Sequence, residues 1–564
     1  MEKKFIVVTG GVMSGVGKGV ATASIGKILQ EYGYKTTAIK IDPYINVDAG
    51  TLRPTEHGEV WVTADGGEID QDLGNYERFL GQEIPKANNI TTGQVYKAII
   101  EKERRGDFLG ETVQFIPHVP NEIKNRILGA SKDYDITLIE IGGTIGDYEN
   151  IPFLFAVKSL EREFGEGNFV HVLITYLPIP SHTNEMKTKP TQTAIRLLTE
   201  SGIFPDVILC RAKEPLDEVR RKKIETYANI SKDYVISAPD IKKSIYSIPL
   251  NFEKEDLGIK ILNKLNLKPL KVPDWSKWKF LVENIENPKK TVKIAIIGKY
   301  LDIGNYTLKD SYISINEALT HAAAQFSTEL GIDWIDSKTF EKHPESIENL
   351  KQYKGIIVPG GFGESGVEGK IKAINFARVN KIPYLGLCYG LQLAIVEFAR
   401  NVCGMKEAHT TEVSKSTNFP VIDIMPEQKK IKSKGGTMRL GAYVCILNNE
   451  TYVHKLYKEL GRLEEDKLKL NNSNETTLGN CKGDLILEKH RHRYEVNPKF
   501  INELEKNGMV FSGYHERKDG TRLMEFIELP NHKYFIGTQA HPEFTSSLLK
   551  PNPLFYGFVK ACLD

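Results

Sequence analysis

Apolar residues cluster along the first half of the chain in short runs: KFIVVTGG at 4–11, YDITLIEIGG at 134–143, FVHVLITYL at 169–177 and FPDVILCR at 204–211. Each run is rich in β-branched residues and lacks alternation, which predicts strands buried on both faces. Amphipathic stretches between them predict helices. The pattern restarts at VKIAIIGKY (292–300) and continues through YKGIIVPGGFG (353–363) and KIPYLGLCYG (381–390). Strands alternating with helices predict an α/β fold in two domains, each a mostly parallel sheet flanked by helices. Residues 267–291 carry Pro, Lys and Trp with poor periodicity and read as a linker between domains at 1–266 and 292–564. The polar stretch Leu463–Asp484 has little to bury and reads as a mobile insertion.

Composition narrows the class. With 564 residues, 40% hydrophobic and 26% charged, the chain has core material for more than one domain. A net charge of +2 gives no reason to expect nucleic acid or a membrane surface as partner. The apolar run near the start is too short for a signal peptide, and no other run would span a bilayer. The six cysteines lie far apart without a CxxC pair, so reduced cytoplasmic thiols are expected rather than disulfides or zinc.

One of those thiols sits in an unusual place. Gly386-Leu387-Cys388-Tyr389-Gly390 joins a predicted strand to a predicted helix. Small flanking residues permit a sharp elbow, and the helix N-terminus favours a thiolate. A buried structural cysteine at an ordinary turn is the plainer reading. Two segments weigh against it. VPGGFGESG (358–366) offers backbone N–H groups for an oxyanion, and TQAHPEFTS offers His541 with Glu543 two residues on. Two residues apart on a strand, the carboxylate faces the imidazole and can orient it, completing a nucleophile–base–orienter set.

The first half offers a phosphate site. VVTGGVMSGVGKGVATASIGKIL reads as strand, Gly-rich loop and helix, with Lys18 at the helix start. Gly19 stands where a P-loop has Ser or Thr, so the usual magnesium hydroxyl is missing. Asp72 and Glu140, the latter ending the strand ITLIE, are hard-oxygen candidates for Mg²⁺. Either could equally be an ordinary solvated carboxylate.

Residues 292–564 resemble class I glutamine amidotransferase domains on the Cys388, Gly-rich and His541 motifs. More specifically, KIDPYINVDAGTLRPTEHGEVWVTADGGEIDQDLGNYERF, KERRGDFLGETVQFIPH, IEIGGTIGDYE, KTKPTQ, GGTMRLGA, RHRYEVN and HPEFTS resemble the CTP synthase family. That resemblance runs from about residue 3 to 560. It implies ATP-dependent amination of UTP to CTP, by way of UTP phosphorylated on O4, with ammonia released from L-glutamine. Cys388 would attack the glutamine carboxamide, His541 would shuttle the proton and Glu543 would orient it. Gly361, Tyr389, Gly390, Leu391, Gln392, Glu412 and Arg493 would bind glutamine. Tyr389 departs from the bulky aliphatic residue more usual there.

The same resemblance implies that Gly15, Val16, Gly17, Lys18, Gly19, Val20, Lys40 and Asp72 face ATP, with Pro239, Asp240 and Ile241 near adenine. Ser14, Asp147, Tyr148 and Glu149 would contact UTP or the inhibitor CTP. So would Lys187, Thr188, Lys189, Pro190, Thr191, Gln192 and Lys223. Mg²⁺ would lie on Asp72 and Glu140. His57 and Val60 would line the exit of an ammonia channel. GTP as allosteric activator, homotetramers and, in some members, filaments are further family properties. Rival readings are another glutamine-dependent ligase, a P-loop regulatory ATPase with an inert glutaminase-like module, and a filament protein. Intact Cys388 and His541 count against the second of these.

Overall fold

The apolar runs of the first half become one wholly parallel sheet. In the computed structural model, residues 2–52, 58–298, 302–303, 306–307, 312–425, 438–471 and 483–564 are described. They form two units, one of residues 1–49 and 69–282, the other of 50–68 and 283–564.

The first unit's sheet has seven strands. From edge to edge they are Asn89–Thr91, Thr36–Asp42, Ile136–Ile141, Lys4–Gly10, Phe169–Tyr176, Val207–Ala212 and Val235–Pro239. Every adjacent pair is parallel. All seven residues of Lys4–Gly10 are buried, which is why that strand is apolar without alternation. Each buried Ile, Val or Phe contributes ~1.5–3 kcal/mol relative to an exposed one. From Lys4–Gly10 the chain crosses to one side of the sheet, and from its neighbour Ile136–Ile141 it crosses to the other. A crevice therefore opens beyond the carboxyl ends of these two strands, where such sheets hold ligands.

The second unit has a nine-stranded sheet. Its order is Thr328–Asp336, Lys290–Gly298, Gly355–Val358, Tyr384–Leu387, Phe535–Thr538, Arg522–Glu528, Val510–Glu516, Arg439–Leu447 and Asp484–His492. The first five strands pair in parallel, and this half carries the cysteine elbow. The remaining pairs are antiparallel; Val510–Glu516 and Arg522–Glu528 are joined by the short turn at 517–521, which is too short for a parallel crossover.

Three features differ from the sequence reading. Residues 50–68, read as part of the first domain, pack with the second unit. Ala442 N–H donates to Ala64 O at 2.8 Å. Gly441, at φ +94°, has no room for a Cβ, which would lie 2.6 Å from that same oxygen. The linker at 267–291 contains the helix Ser276–Glu286, within which the units divide. The expected mobile insertion begins as a helix, Arg462–Asn471, with Asp466 wholly buried. Its polarity misled because its charges are partnered: Arg462 Nη2 lies 3.0 Å from Asp466, and Asp466 accepts Leu487 N–H at 2.9 Å. Residues 472–482 of that stretch lie outside the described residues. No described helix is long and apolar enough to cross a membrane.

Candidate active sites

The Gly-rich loop leaves the central strand of the first unit and ends at the helix Lys18–Glu31. Gly15 and Gly17, at φ +72° and +92°, make the left-handed turns that bring the loop into the helix start. Lys18 folds back across Gly10, where a Cβ would sit 2.8 Å from its Cδ, and donates to Gly143 O at 2.7 Å. A Cβ on Gly19 would overlap Asp72 Oδ1. The missing P-loop hydroxyl is thus explained: the carboxylate of Asp72 fills the space of that side chain.

Lys40 and Glu140 are direct register partners on neighbouring parallel strands, so their side chains share a face. Lys40 Nζ bonds Glu140 Oε1 at 2.9 Å, pairs with Asp72 and lies 3.8 Å from Asp42. Burial alone would lower the pKa of Lys40, but Asp72, Glu140 and Asp42 hold it well above the ordinary lysine value. Burial likewise opposes ionisation of Asp72, yet Lys40 and Lys18 keep its carboxyl below the usual range. Asp70, buried beside Asp72 and Asp42, is pushed up to about 8 by burial and then by those two charges. Burial and mutual repulsion oppose ionisation of Asp42, Asp70 and Glu140, and a hard divalent cation would relieve that crowding. Glu140 already uses both oxygens, on Lys40 and Tyr76, whereas Asp72 is partly exposed. Among the described residues no three His, Cys, Asp or Glu side chains converge as a ligand set. The donors therefore fit Mg²⁺ held by one or two carboxylates and completed by phosphate oxygens.

Beside the loop, Gly17, Val20, Pro239 and Ile241 line an apolar cavity of about 160 Å³. Arg211, which sequence reasoning missed, closes it, donating to Val16 O at 3.0 Å and pairing with Asp240. Thr188, Gln192 and Lys223 line a separate cavity of about 770 Å³ with Lys222 and Tyr227. Lys187 pairs with Glu185, and Lys189 and Pro190 open the helix Lys189–Glu200. Thr191 does not join them: its hydroxyl shares a buried hydrogen bond with Thr175 at 3.0 Å. Ser14, Asp147, Tyr148 and Glu149 are exposed on the loops that follow Lys4–Gly10 and Ile136–Ile141.

In the second unit Cys388 stands between the strand Tyr384–Leu387 and the helix Tyr389–Asn401 at φ 49°, ψ −98°. Such a conformation is costly for a non-glycine residue and persists only when its surroundings enforce it. They do. Cβ atoms on Gly386 and Gly390 would strike Gly390 and Val358 backbone, so the elbow closes only with glycine at both positions. Cys388 N–H donates to Thr538 O at 2.7 Å.

His541 faces the same cavity as the Cys388 thiol, and its Nδ1 lies 2.6 Å from Glu543 Oε1. The two residues are not on a strand, as expected, but at a 3₁₀ turn, Pro542–Thr545, that His541 caps. Burial would lower the imidazole pKa, yet Glu543 and Cys388 raise it to about 10. Gly360 must be bare, because a Cβ there would lie 2.8 Å from His541 Cε1.

Cys388, His541, Gly361, Gln392, Glu412 and Arg493 line one cavity of about 540 Å³. Glu412 Oε1 accepts Gly363 N–H at 2.9 Å and so fixes the Gly-rich loop. Tyr389, the departure from the family pattern, does similar work: its hydroxyl donates to Gly363 O at 3.1 Å. Gln392 donates from Nε2 to Tyr494 O at 3.1 Å, while its Oε1 is buried without a partner, an acceptor suited to a substrate N–H. Gly390 and Leu391 are buried beneath the elbow.

Gly50, Glu59 and Val60 complete the wall of this cavity. Next to them Trp61 packs on Phe544 at 4.9 Å between ring centroids, and Phe544 stacks on His541 at 5.3 Å. Arg491 Nε holds Glu68 at 2.8 Å. His57 lies outside the described residues.

Family models match both halves of the chain. Residues 4–267 match the family described as CTP synthase N-terminus, and residues 307–561 match glutamine amidotransferase class-I. The CTP synthase of Methanocaldococcus jannaschii is 48% identical over 565 residues, covering 99% of this chain and 98% of that protein. That of Pyrococcus abyssi is 49% identical over 561 residues, covering 100% and 98%. The glutaminase domain of Trypanosoma brucei CTPS with bound acivicin is similar at 32% identity and a TM-score of 0.41. It covers 48% of this chain and 94% of that one. The chain belongs to the CTP synthase family.

Proposed function

We propose that this protein makes CTP from UTP, ATP and L-glutamine, with the nitrogen released at Cys388 and the nucleotide chemistry done around Lys18, Lys40 and Asp72. The carrying observation is that one chain, similar end to end to CTP synthases, holds both a thiol–imidazole–carboxylate set and a lysine–carboxylate cluster at a Gly-rich loop.

In the glutaminase half the Cys388 proton passes to His541, and the sulfur attacks the carboxamide carbon of glutamine. N–H groups of the Gly360–Gly361 loop and the elbow stabilise the oxyanion. His541 then returns the proton to the departing nitrogen, which leaves as ammonia, and water hydrolyses the thioester to glutamate. Glu543 holds the imidazolium in place throughout. Gln392, Glu412 and Arg493 hold the substrate, Gly390 and Leu391 form the floor, and Val60 borders the ammonia's exit.

In the synthetase half the loop from Gly15 to Val20 and Lys18 cradle the ATP phosphates, and the Pro239–Ile241 cavity takes the adenine. Lys187, Lys189 and Lys223 neutralise the UTP triphosphate beside Thr188 and Gln192. Ser14, Asp147, Tyr148 and Glu149 complete the UTP and CTP contacts. ATP phosphorylates O4 of UTP, ammonia attacks C4, and phosphate leaves. Mg²⁺, held on Asp72 and Glu140 when bound, supplies charge neutralisation between the two triphosphates. Lys40 pairs with both carboxylates and aligns them for it. GTP activation near the glutaminase loop at 360–369, assembly as a homotetramer and residence in the cytoplasm complete the reading.

The test is incubation with UTP, ATP, Mg²⁺ and glutamine, following CTP by chromatography. ATP hydrolysis without CTP would overturn it.

A further inference from the structure

We propose that Gln539 is a further residue of the glutaminase centre: its side-chain amide donates an N–H to the Cys388 sulfur and favours the thiolate, while its carbonyl oxygen holds Gln392 in the substrate wall. The inference rests on Cys388 being the nucleophile.

Gln539 follows the strand Phe535–Thr538, two residues before His541, and is wholly buried. Its backbone is pinned, since its N–H donates to Glu525 O at 2.8 Å. Its Nε2 lies 3.6 Å from Cys388 Sγ, and its Oε1 lies 3.2 Å from Gln392 Nε2.

The direction of these bonds follows from one fixed acceptor. Tyr494 O is a backbone carbonyl and can only accept, so the Gln392 atom beside it, at 3.1 Å, must be the NH₂ group. That NH₂ group also faces Gln539, which must therefore present its oxygen to Gln392. Nε2 is left for the sulfur. The reverse orientation would set two NH₂ groups against each other and aim a carbonyl oxygen at the sulfur, opposing a thiolate. A donor at this position stabilises the anion that forms when the thiol proton moves to His541. Gln539 thus joins the nucleophile to Gln392, the residue with an unpartnered oxygen at the substrate cavity.

The test compares the full-length protein with Gln539→Met, which lacks the donor at similar size, and Gln539→Glu. The measurement is the pH dependence of Cys388 alkylation by iodoacetamide, quantified on the Cys388 peptide by mass spectrometry. In Gln539→Met the midpoint is expected to move up by about one pH unit, with glutaminase kcat down roughly tenfold near neutral pH. In Gln539→Glu, where a carboxylate opposes the thiolate, both effects are expected to be larger. A purely structural role would leave the alkylation midpoint in place. Far-UV circular dichroism and the thermal midpoint of each full-length variant serve as the folding control. If one variant fails that control, the other still decides. A midpoint in a folded variant that superimposes on the parent's overturns the inference. Failure of the parent's Cys388 to react at all overturns the nucleophile reading instead.

Discussion

The Asp72 carboxylate occupies the space that a side chain on Gly19 would need, with Oδ1 overlapping the position of a Cβ there. The two residues are therefore a matched pair. Gly19→Ser, which restores the residue usual in P-loops, is expected to abolish rather than improve synthesis. Displacing Asp72 breaks its pairing with Lys40 and costs ~1–3 kcal/mol as overpacking. CTP formation should fall about 100-fold or more with either nitrogen source, because charge alignment carries most of phosphoryl transfer. A Gly19→Ser variant with near-normal turnover would show that Asp72 is free to move.

The two centres are expected to separate by mutation. Cys388→Ala should lose glutamine-dependent CTP formation and keep that driven by added ammonia, more strongly at mildly alkaline pH where more ammonium is deprotonated. Lys40→Ala should lose both, since it leaves Glu140 and Asp42 buried without their cation, at a cost of ~3–5 kcal/mol to the site. Its Cys388 should still form a thioester with glutamine. Assaying both variants with both nitrogen sources checks this; glutamine use by Cys388→Ala would end the two-centre reading.

Some of this could be read along the chain and some could not. The buried strands and the elbow are local, and β-branched runs and closely spaced glycines announce them. The spacing of His541 and Glu543 pointed to the right pair for a different reason, a 3₁₀ turn rather than a strand. The Gly19–Asp72 fit joins positions far apart in sequence, so no local pattern carries it. Arg211 and Gln539 looked like ordinary strand-end residues, and only the packing brings them to a cavity or a sulfur. Thr191 shows the converse: it lies inside a matched motif, yet its side chain turns into the core.

The helix Arg462–Asn471 is expected to behave as core despite its charge. Glu488, buried, accepts from Tyr457, Asn552 and Thr545, and Arg462 lies 3.8 Å from it. Asp466→Ala leaves the buried Arg462 partly uncompensated and should cost ~3 kcal/mol, lowering the thermal midpoint. Replacing only residues 472–482 with a short Gly/Ser linker spares Arg462, Asp466 and Glu488 and should leave that midpoint nearly unchanged. Differential scanning calorimetry separates the two; equal losses would mean that the longer segment is part of the core.

The pH response of the glutaminase should be set by the bond between His541 and Glu543. Burial favours a neutral imidazole, but Glu543 and Cys388 outweigh it and raise the folded pKa to about 10 from 6.5. A group raised in this way stabilises the fold fully below about 6.5, and the contribution drains away as pH climbs to about 10. The same imidazolium supplies the proton that lets ammonia leave, so glutaminase activity should persist through neutral pH and fall on the alkaline side. Glu543→Gln keeps the shape and removes the charge. The alkaline limb of kcat should then move down by roughly one to two pH units, with far-UV circular dichroism as the folding control. The thermal midpoint should drop most at acidic to neutral pH, and the gap from the parent should narrow as pH rises toward 10. Both readings come from one variant measured across pH. An unmoved alkaline limb would show that Glu543 does not sustain the charge on His541, and that the base is held by some other group.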